Sequence, residues 1–299
     1  MVKAVIFDLD GTLVDTMDDL GTAMNRMLVR LGYDKRTKGE LIRFINNGAR
    51  NFVRLSLPEE LQSVEFVVDS ALSTYEAEYS QCYLEQSESY EGMKEALWGL
   101  SDRKIKLGVL SNKQDKFVKK IVEKIFGKKL FKFVQGNLDS LPKKPDPQGA
   151  LYVAKQLGVK PECCVFVGDS DIDIETAKNA KMTSVAVSWG YRAEQVLKDA
   201  GADYIVHDTG ELIYAIEKIF YDMLPEKKKK KQAPPMGANL IKPEKSKAQE
   251  EPSEPVEKEP APAPVADEAP KEQPQEEKPK QRKNVAVPIT SKNSNKKGS

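Results

Sequence analysis

Apolar and polar positions follow two different regimes along this chain. Residues 3–7 form a short, largely apolar and β-branched run, which predicts a buried strand. Residues 16–31 then repeat apolar positions at helical spacing. Thr16 suits an N-cap, Asp18 and Asp19 fall in the first turn, and Gly32 stops the pattern. Helical patterns continue over 41–45, 49–57 and 64–84 without a convincing strand among them. From residue 92 onward the two periods alternate. Helices are expected over 92–100, 116–126, 147–157, 172–180, 193–200 and 211–223, and strands over 105–110, 131–134, 163–167, 184–187 and 204–206. Such alternation predicts βαβ units and a parallel sheet covered on both faces. The all-helical block breaks it just after the first strand and so reads as an insertion over the carboxyl edge of the sheet. The expected fold class is therefore α/β: a Rossmann-like parallel-sheet core from residues 1–15 and 86–224, an inserted all-helical cap from 16–85, and a tail from 225–299.

Composition separates the tail from the rest. Residues 225–299 contain no Phe, Tyr or Trp and 13 of the 18 prolines. A Lys-, Glu- and Pro-rich segment of this kind cannot bury enough apolar surface to offset its ordering entropy, so it is expected to be disordered. The net charge of +1 hides an asymmetry: the tail holds 17 Lys+Arg against 12 Asp+Glu, which leaves −4 for residues 1–224. A mildly acidic domain argues against a nucleic-acid-binding core. The tail, opening on Lys227 to Lys231, leaves contact with RNA or another polyanion open. Cys82, Cys163 and Cys164 are too few and too oddly placed for a disulfide framework. No signal-peptide pattern precedes the first strand, and no apolar run approaches the ~18 residues that span a bilayer. The expectation is a cytoplasmic protein, monomer or dimer, without a membrane partner. His207 is the one histidine, which rules out a multi-histidine metal site.

The first strand runs into Asp8-Leu9-Asp10-Gly11-Thr12. Positions i and i+2 of a strand point the same way, so Asp8 and Asp10 should converge at its carboxyl end, where open α/β sheets bind ligands. Two such carboxylates repel each other, and a divalent cation relieves the repulsion. Three further segments carry polar groups at expected strand ends or loops. Ser111-Asn112 follows the second strand, Lys144 sits in a loop stiffened by Pro142, Pro145 and Pro147, and Asp169, Asp171 and Asp173 follow the strand over 163–167. Helix-dipole complementation accounts for Asp171 but not for Asp169 at the strand end. The set suits phosphoryl transfer. Clustered oxygen ligands select a hard cation, most naturally Mg²⁺. Ser, Lys and backbone N–H groups can bind phosphoryl oxygens, while one carboxylate attacks and another moves protons.

The segments Asp8-Leu9-Asp10-Gly11-Thr12, Ser111-Asn112, Lys144-Pro145 and Gly168-Asp169-Ser170-x-x-Asp173 resemble, in order and spacing, the four motifs of the haloacid dehalogenase superfamily, in its phosphatase branch with a helical cap. The resemblance covers residues 1–224. It implies Asp8 as nucleophile, Asp10 as general acid/base, and Mg²⁺ held by the Asp8 carboxylate, the Asp10 backbone carbonyl and Asp169. It further implies phosphate binding by Ser111, Asn112 and Lys144, with Gly11, Thr12 and Asp173 in support. Within the superfamily, the segments 44–50 and 187–191 look most like phosphoglycolate phosphatases. That likeness implies a small phosphorylated metabolite as substrate, read by Asn47, Gly48 and Arg50 of the cap, with Arg50 a candidate partner for a substrate carboxylate. A sugar phosphomutase of β-phosphoglucomutase type and an inorganic pyrophosphatase are alternatives on the same core, and a non-catalytic interaction protein is a third class. Asp10 argues against a dehalogenase.

Overall fold

A computed structural model describes residues 3–45, 48–138 and 140–229. Val2, Asn47 and the tail from residue 230 lie outside them. The chain starts with β1 (Ala4–Phe7) and a two-residue strand, β2 (Val14–Asp15). Four helices follow: α1 (Met17–Arg30), α2 (Lys38–Phe44), α3 (Ala49–Ser56) and α4 (Glu65–Cys82). A second two-residue strand, β3 (Glu88–Ser89), pairs antiparallel with β2. After it come α5 (Met93–Asp102), β4 (Lys106–Gln114), α6 (Asp115–Phe126), β5 (Phe133–Asn137) and α7 (Gln148–Leu157). The remainder is β6 (Cys164–Gly168), α8 (Asp171–Asn179), β7 (Thr183–Val187), α9 (Glu194–Asp199), β8 (Tyr204–Val206), α10 (Thr209–Asp222) and a single turn, α11 (Glu226–Lys229).

Six strands form one sheet in the order β5-β4-β1-β6-β7-β8, and every neighbouring pair is parallel. Its first strand therefore lies near the middle, flanked by β4 and β6, so the carboxyl ends of three strands adjoin. The strand period sorts the core. Val5 and Phe7 belong to a buried cluster with Leu97, Phe117, Ile121 and Ile216 of α5, α6 and α10. Ala4 and Ile6 face the other way, among Ala150, Val153, Ala154 and Leu157 of α7 and Ala177 of α8. Full burial of a side chain such as Phe7 contributes about 2–3 kcal/mol.

The helical insertion joins the first of these clusters. Leu20, Met24 and Met27 of α1, Phe52 of α3 and Tyr75 and Tyr79 of α4 are all buried in it. Its entry and exit are tied together by Asp19, fully buried on α1. That carboxylate accepts Gln86 N–H at 2.9 Å, Ser87 N–H at 2.9 Å and Ser87 O–H at 2.6 Å.

Several sequence expectations shift. The second strand runs on through Ser111 and Asn112 to Gln114, and the strand expected over 131–134 begins two residues later. The β2–β3 pair is too short to leave a periodic signature. Thr16 precedes α1 but makes no side-chain cap; Asp15 Oδ1 takes Met17 N–H instead, at 3.1 Å. Residues 226–229, expected to be disordered, form a helical turn. All three cysteines are free, and no helix among the described residues is long and apolar enough to cross a membrane.

Candidate active site

Asp8 emerges directly from β1, its N–H held by Val167 O of β6 at 2.9 Å. The next turn needs Gly11, whose φ is +81° and where a Cβ would lie 2.3 Å from Asp169 Oδ2. That close approach lets Thr12 Oγ1 donate to Asp169 Oδ1 at 3.0 Å. Asp169 directly follows β6, and its other oxygen accepts Tyr191 N–H at 2.8 Å. Ser170 and Asp173 form a capping box at the start of α8, which fixes the Asp173 carboxylate next to the strand end.

Lys144 closes the group. Its ammonium lies 2.6 Å from Asp173 Oδ1 and 2.8 Å from Asp8 Oδ1, and it is 4% exposed. The one ammonium is thus shared between the carboxylates of Asp8 and Asp173. Asn112 sets the lysine's position. Its side chain accepts Lys144 N–H at 2.9 Å and donates to Lys144 O at 3.1 Å. The Asn112 side chain is thus spent on the Lys144 backbone rather than turned to a phosphate, whereas Ser111 lines the cleft beside Asp8.

The electrostatics are lopsided. Burial drives the Asp8 carboxyl up to about 7; Lys144 opposes this, while Asp173 and Asp10 add to it. Burial, with the charges of Asp173 and Asp8, drives Asp169 up to about 8. Burial alone would lower the Lys144 ammonium, but Asp173 and Asp8 outweigh it and raise the lysine. Carboxylate oxygens of Asp8, Asp169 and Asp173 lie within 4.8 Å of one another. An all-oxygen, buried and mutually repelling set fits a hard divalent cation such as Mg²⁺.

Asp10 stands apart from that cluster. Its Oδ1 accepts Thr16 O–H at 2.5 Å and pairs with Lys113 Nζ at 2.8 Å. Thr16 in turn gives its N–H to the Tyr191 hydroxyl at 2.9 Å, and Trp189 Nε1 donates to Thr12 O at 3.2 Å. The segment after β7 therefore braces both Asp169 and the turn after β1.

A cavity of about 110 Å³ opens over these groups, between the strand ends and the helical insertion. Gly48, Phe52, Tyr75, Glu76 and Tyr79 line its far side. Gly48, with φ +87°, sits so close to the core that a Cβ would meet Lys143 Nζ at 3.1 Å and Asn112 O at 3.4 Å. Arg50 does not line the cleft. It bonds Glu65 Oε2 and Asp69 Oδ1, each at 2.7 Å, on the outer side of α3 and α4, which corrects the expectation that it faces the site. Asn47 lies outside the described residues. Lys113, Tyr79 and Arg192 line the cleft without having been singled out from sequence. Lys113 directly follows the Ser111-Asn112 pair, and that adjacency was the available signal.

The sequence profile of a family described as haloacid dehalogenase-like hydrolase matches residues 5–187. A phosphoglycolate phosphatase from Pseudomonas putida is 32% identical over 216 residues, covering 71% of this chain and 78% of its own length. The crystal structure of a predicted phosphoglycolate phosphatase from Haemophilus somnus aligns with TM-score 0.66 and 27% identity, over 72% of this chain and 97% of that one. A β-phosphoglucomutase from Clostridium difficile shares the fold at TM-score 0.57 and 23% identity, over 74% of this chain and 98% of its own. With its profile match spanning more than half the sequence and its four motif segments gathered at one sheet edge, the chain belongs to the haloacid dehalogenase-like hydrolases.

Proposed function

We propose that this chain is a Mg²⁺-dependent phosphatase that hydrolyses a small, phosphoglycolate-like phosphomonoester through an aspartyl-phosphate. In this reading residues 1–15 and 86–224 form the catalytic core and 16–85 the cap. The observation that carries it is the placement of Asp8 at the end of β1, beside a buried Lys144 and within one oxygen cluster with Asp169 and Asp173.

Asp8, Asp169 and the Asp10 backbone carbonyl would hold the cation, which when bound would neutralise the acids and polarise a phosphoryl oxygen. Lys144 and Ser111 bind the remaining phosphoryl oxygens and orient the phosphorus toward Asp8. An Asp8 oxygen attacks phosphorus as the bond to the ester oxygen breaks, and protonated Asp10 donates its proton to that leaving oxygen. Water then attacks the aspartyl-phosphate phosphorus while Asp10 takes its proton, freeing phosphate and regenerating both carboxyl groups. Asn112 and Asp173 act indirectly, by fixing Lys144. The small cavity suits a leaving group of a few heavy atoms.

The test is phosphate release from phosphoglycolate by the full chain in Mg²⁺, with Asp8→Asn and EDTA as controls. Turnover that survives both controls would sink the mechanism. Absence of turnover on phosphoglycolate, alongside turnover of other phosphomonoesters, would remove the substrate assignment alone.

A further inference from the structure

Three cations line the cleft, and two of them are committed. Lys144 is held by Asp8 and Asp173. Arg192 donates to the Ile42 and Ile45 carbonyls. Lys113 is different. Its side chain is 7% exposed, it reaches into the cleft from the end of β4, and among the described residues its one carboxylate contact is Asp10. The ammonium also sits 4.8 Å from the centroid of the Tyr79 ring. An ammonium carries three N–H donors. One is taken by Asp10, and the ring attracts the ammonium as a whole without accepting a conventional hydrogen bond, which leaves donor capacity for a ligand.

Tyr79 supplies an independent observation. The residue is 2% exposed and lines the same cleft, and its hydroxyl is buried with no hydrogen-bond partner among the described residues. An unpaired buried hydroxyl costs about 1–3 kcal/mol, so its retention at a cleft wall points to a ligand that satisfies it. Glu76, the α4 acid at this end of the cleft, is engaged by the Gln114 side-chain amide, which ties the insertion to the residue next to Lys113.

We propose that Lys113 and Tyr79 form a subsite for an anionic group, a carboxylate, on the leaving-group side of the substrate. This rests on the phosphomonoesterase reading above and deepens it. Lys144 lies beside the attacking Asp8, where the phosphoryl group belongs. Lys113 lies beside Asp10, which protonates the leaving oxygen, so an anion one or two carbons from that oxygen falls within its reach. The subsite joins a core residue to a cap helix, so its ligand also bridges the two walls of the cleft. It replaces Arg50, whose guanidinium is turned to Glu65 and Asp69.

The experiment compares phosphoglycolate with 2-hydroxyethyl phosphate, which has the same skeleton but a neutral end. Full-length wild type should favour phosphoglycolate in kcat/KM. Lys113→Met should cut that ratio roughly tenfold or more, the worth of a charge-assisted hydrogen bond, chiefly through KM for phosphoglycolate. Lys113→Arg should restore part of it. Tyr79→Phe, which removes one oxygen and keeps the ring, should lower the ratio about threefold to tenfold, and it stands as the check if Lys113→Met does not fold. A wild-type preference that neither Lys113→Met nor Tyr79→Phe alters overturns the subsite and leaves the phosphatase standing. Equal wild-type turnover of both esters overturns the subsite as well, while turnover of neither overturns the phosphoglycolate-like reading along with it.

Discussion

Arg192 of the core donates Nη1–H to the Ile42 carbonyl of the helical insertion at 2.9 Å. The same guanidinium bonds Ile45 O at 2.5 Å, so one side chain clasps the last turn of α2. Ile42 lies in the last turn of α2 and Ile45 follows it as the C-cap, at the negative end of the helix dipole, which suits a cation. Arg192 also lines the cleft, so the clasp holds the end of α2 next to the strand-end carboxylates. Arg192→Ala should therefore raise KM for a small phosphomonoester and reduce kcat/KM about tenfold, equivalent to ~1.4 kcal/mol, with little change in Tm. Steady-state kinetics at saturating Mg²⁺ would show this; an unchanged kcat/KM would mean the clasp does not position the cap.

Asp8→Asn should abolish turnover with the fold intact, because an amide is a poor nucleophile. Asp10→Asn keeps the nucleophile and removes the proton donor, so its loss should be smaller, about 10²–10⁴-fold. Comparing both variants for initial phosphate release separates the roles. An Asp10→Asn enzyme as active as wild type would require a different acid.

The acid cluster makes metal and pH interdependent. Without a cation, the folded-state values of Asp8 and Asp169 stand at about 7 and about 8, well above the ordinary carboxylate value. The folded state then binds protons more tightly than the unfolded one. Stability is full below the unfolded value and is lost as pH rises through the folded values. In EDTA, Tm should fall from about pH 4 to about pH 8, and saturating Mg²⁺ should flatten that slope and restore activity. Ca²⁺ should inhibit, since it favours more ligands and looser geometry. A pH-independent Tm in EDTA would contradict this electrostatic account.

Asp19→Ala should destabilise the protein without touching the chemistry. It removes a fully buried carboxylate and leaves the N–H groups of Gln86 and Ser87 without their partner, where the chain returns from the insertion to the core. A loss of about 2–5 kcal/mol is expected in urea unfolding. A loss below 1 kcal/mol would mean that water replaces the carboxylate.

Arg50→Ala should leave KM for phosphoglycolate unchanged, because its partners Glu65 and Asp69 are surface acids rather than substrate. A specific rise in KM for that substrate would return Arg50 to the site.

Local patterns were enough to place most of the fold and to mark the sheet edge where Asp8 and Asp169 meet. The apolar run ending in Asp8-Leu9-Asp10, the helical block and the later strand–helix alternation each follow from a period that a few neighbouring residues impose, and Asp169 stands directly after the strand that the pattern placed at 163–167. Tertiary structure alone decided what the side chains do. Asn112 clamps the Lys144 backbone, Thr16 turns from a helix cap to Asp10, and Arg50 faces outward while Lys113 faces in. The reason is physical. A period specifies which face of an element is buried, but the partner of a polar side chain is set by whichever donor or charge another element brings within about 3 Å. For Asp10 that donor comes from residue 113, and for Asp169 it comes from residue 191.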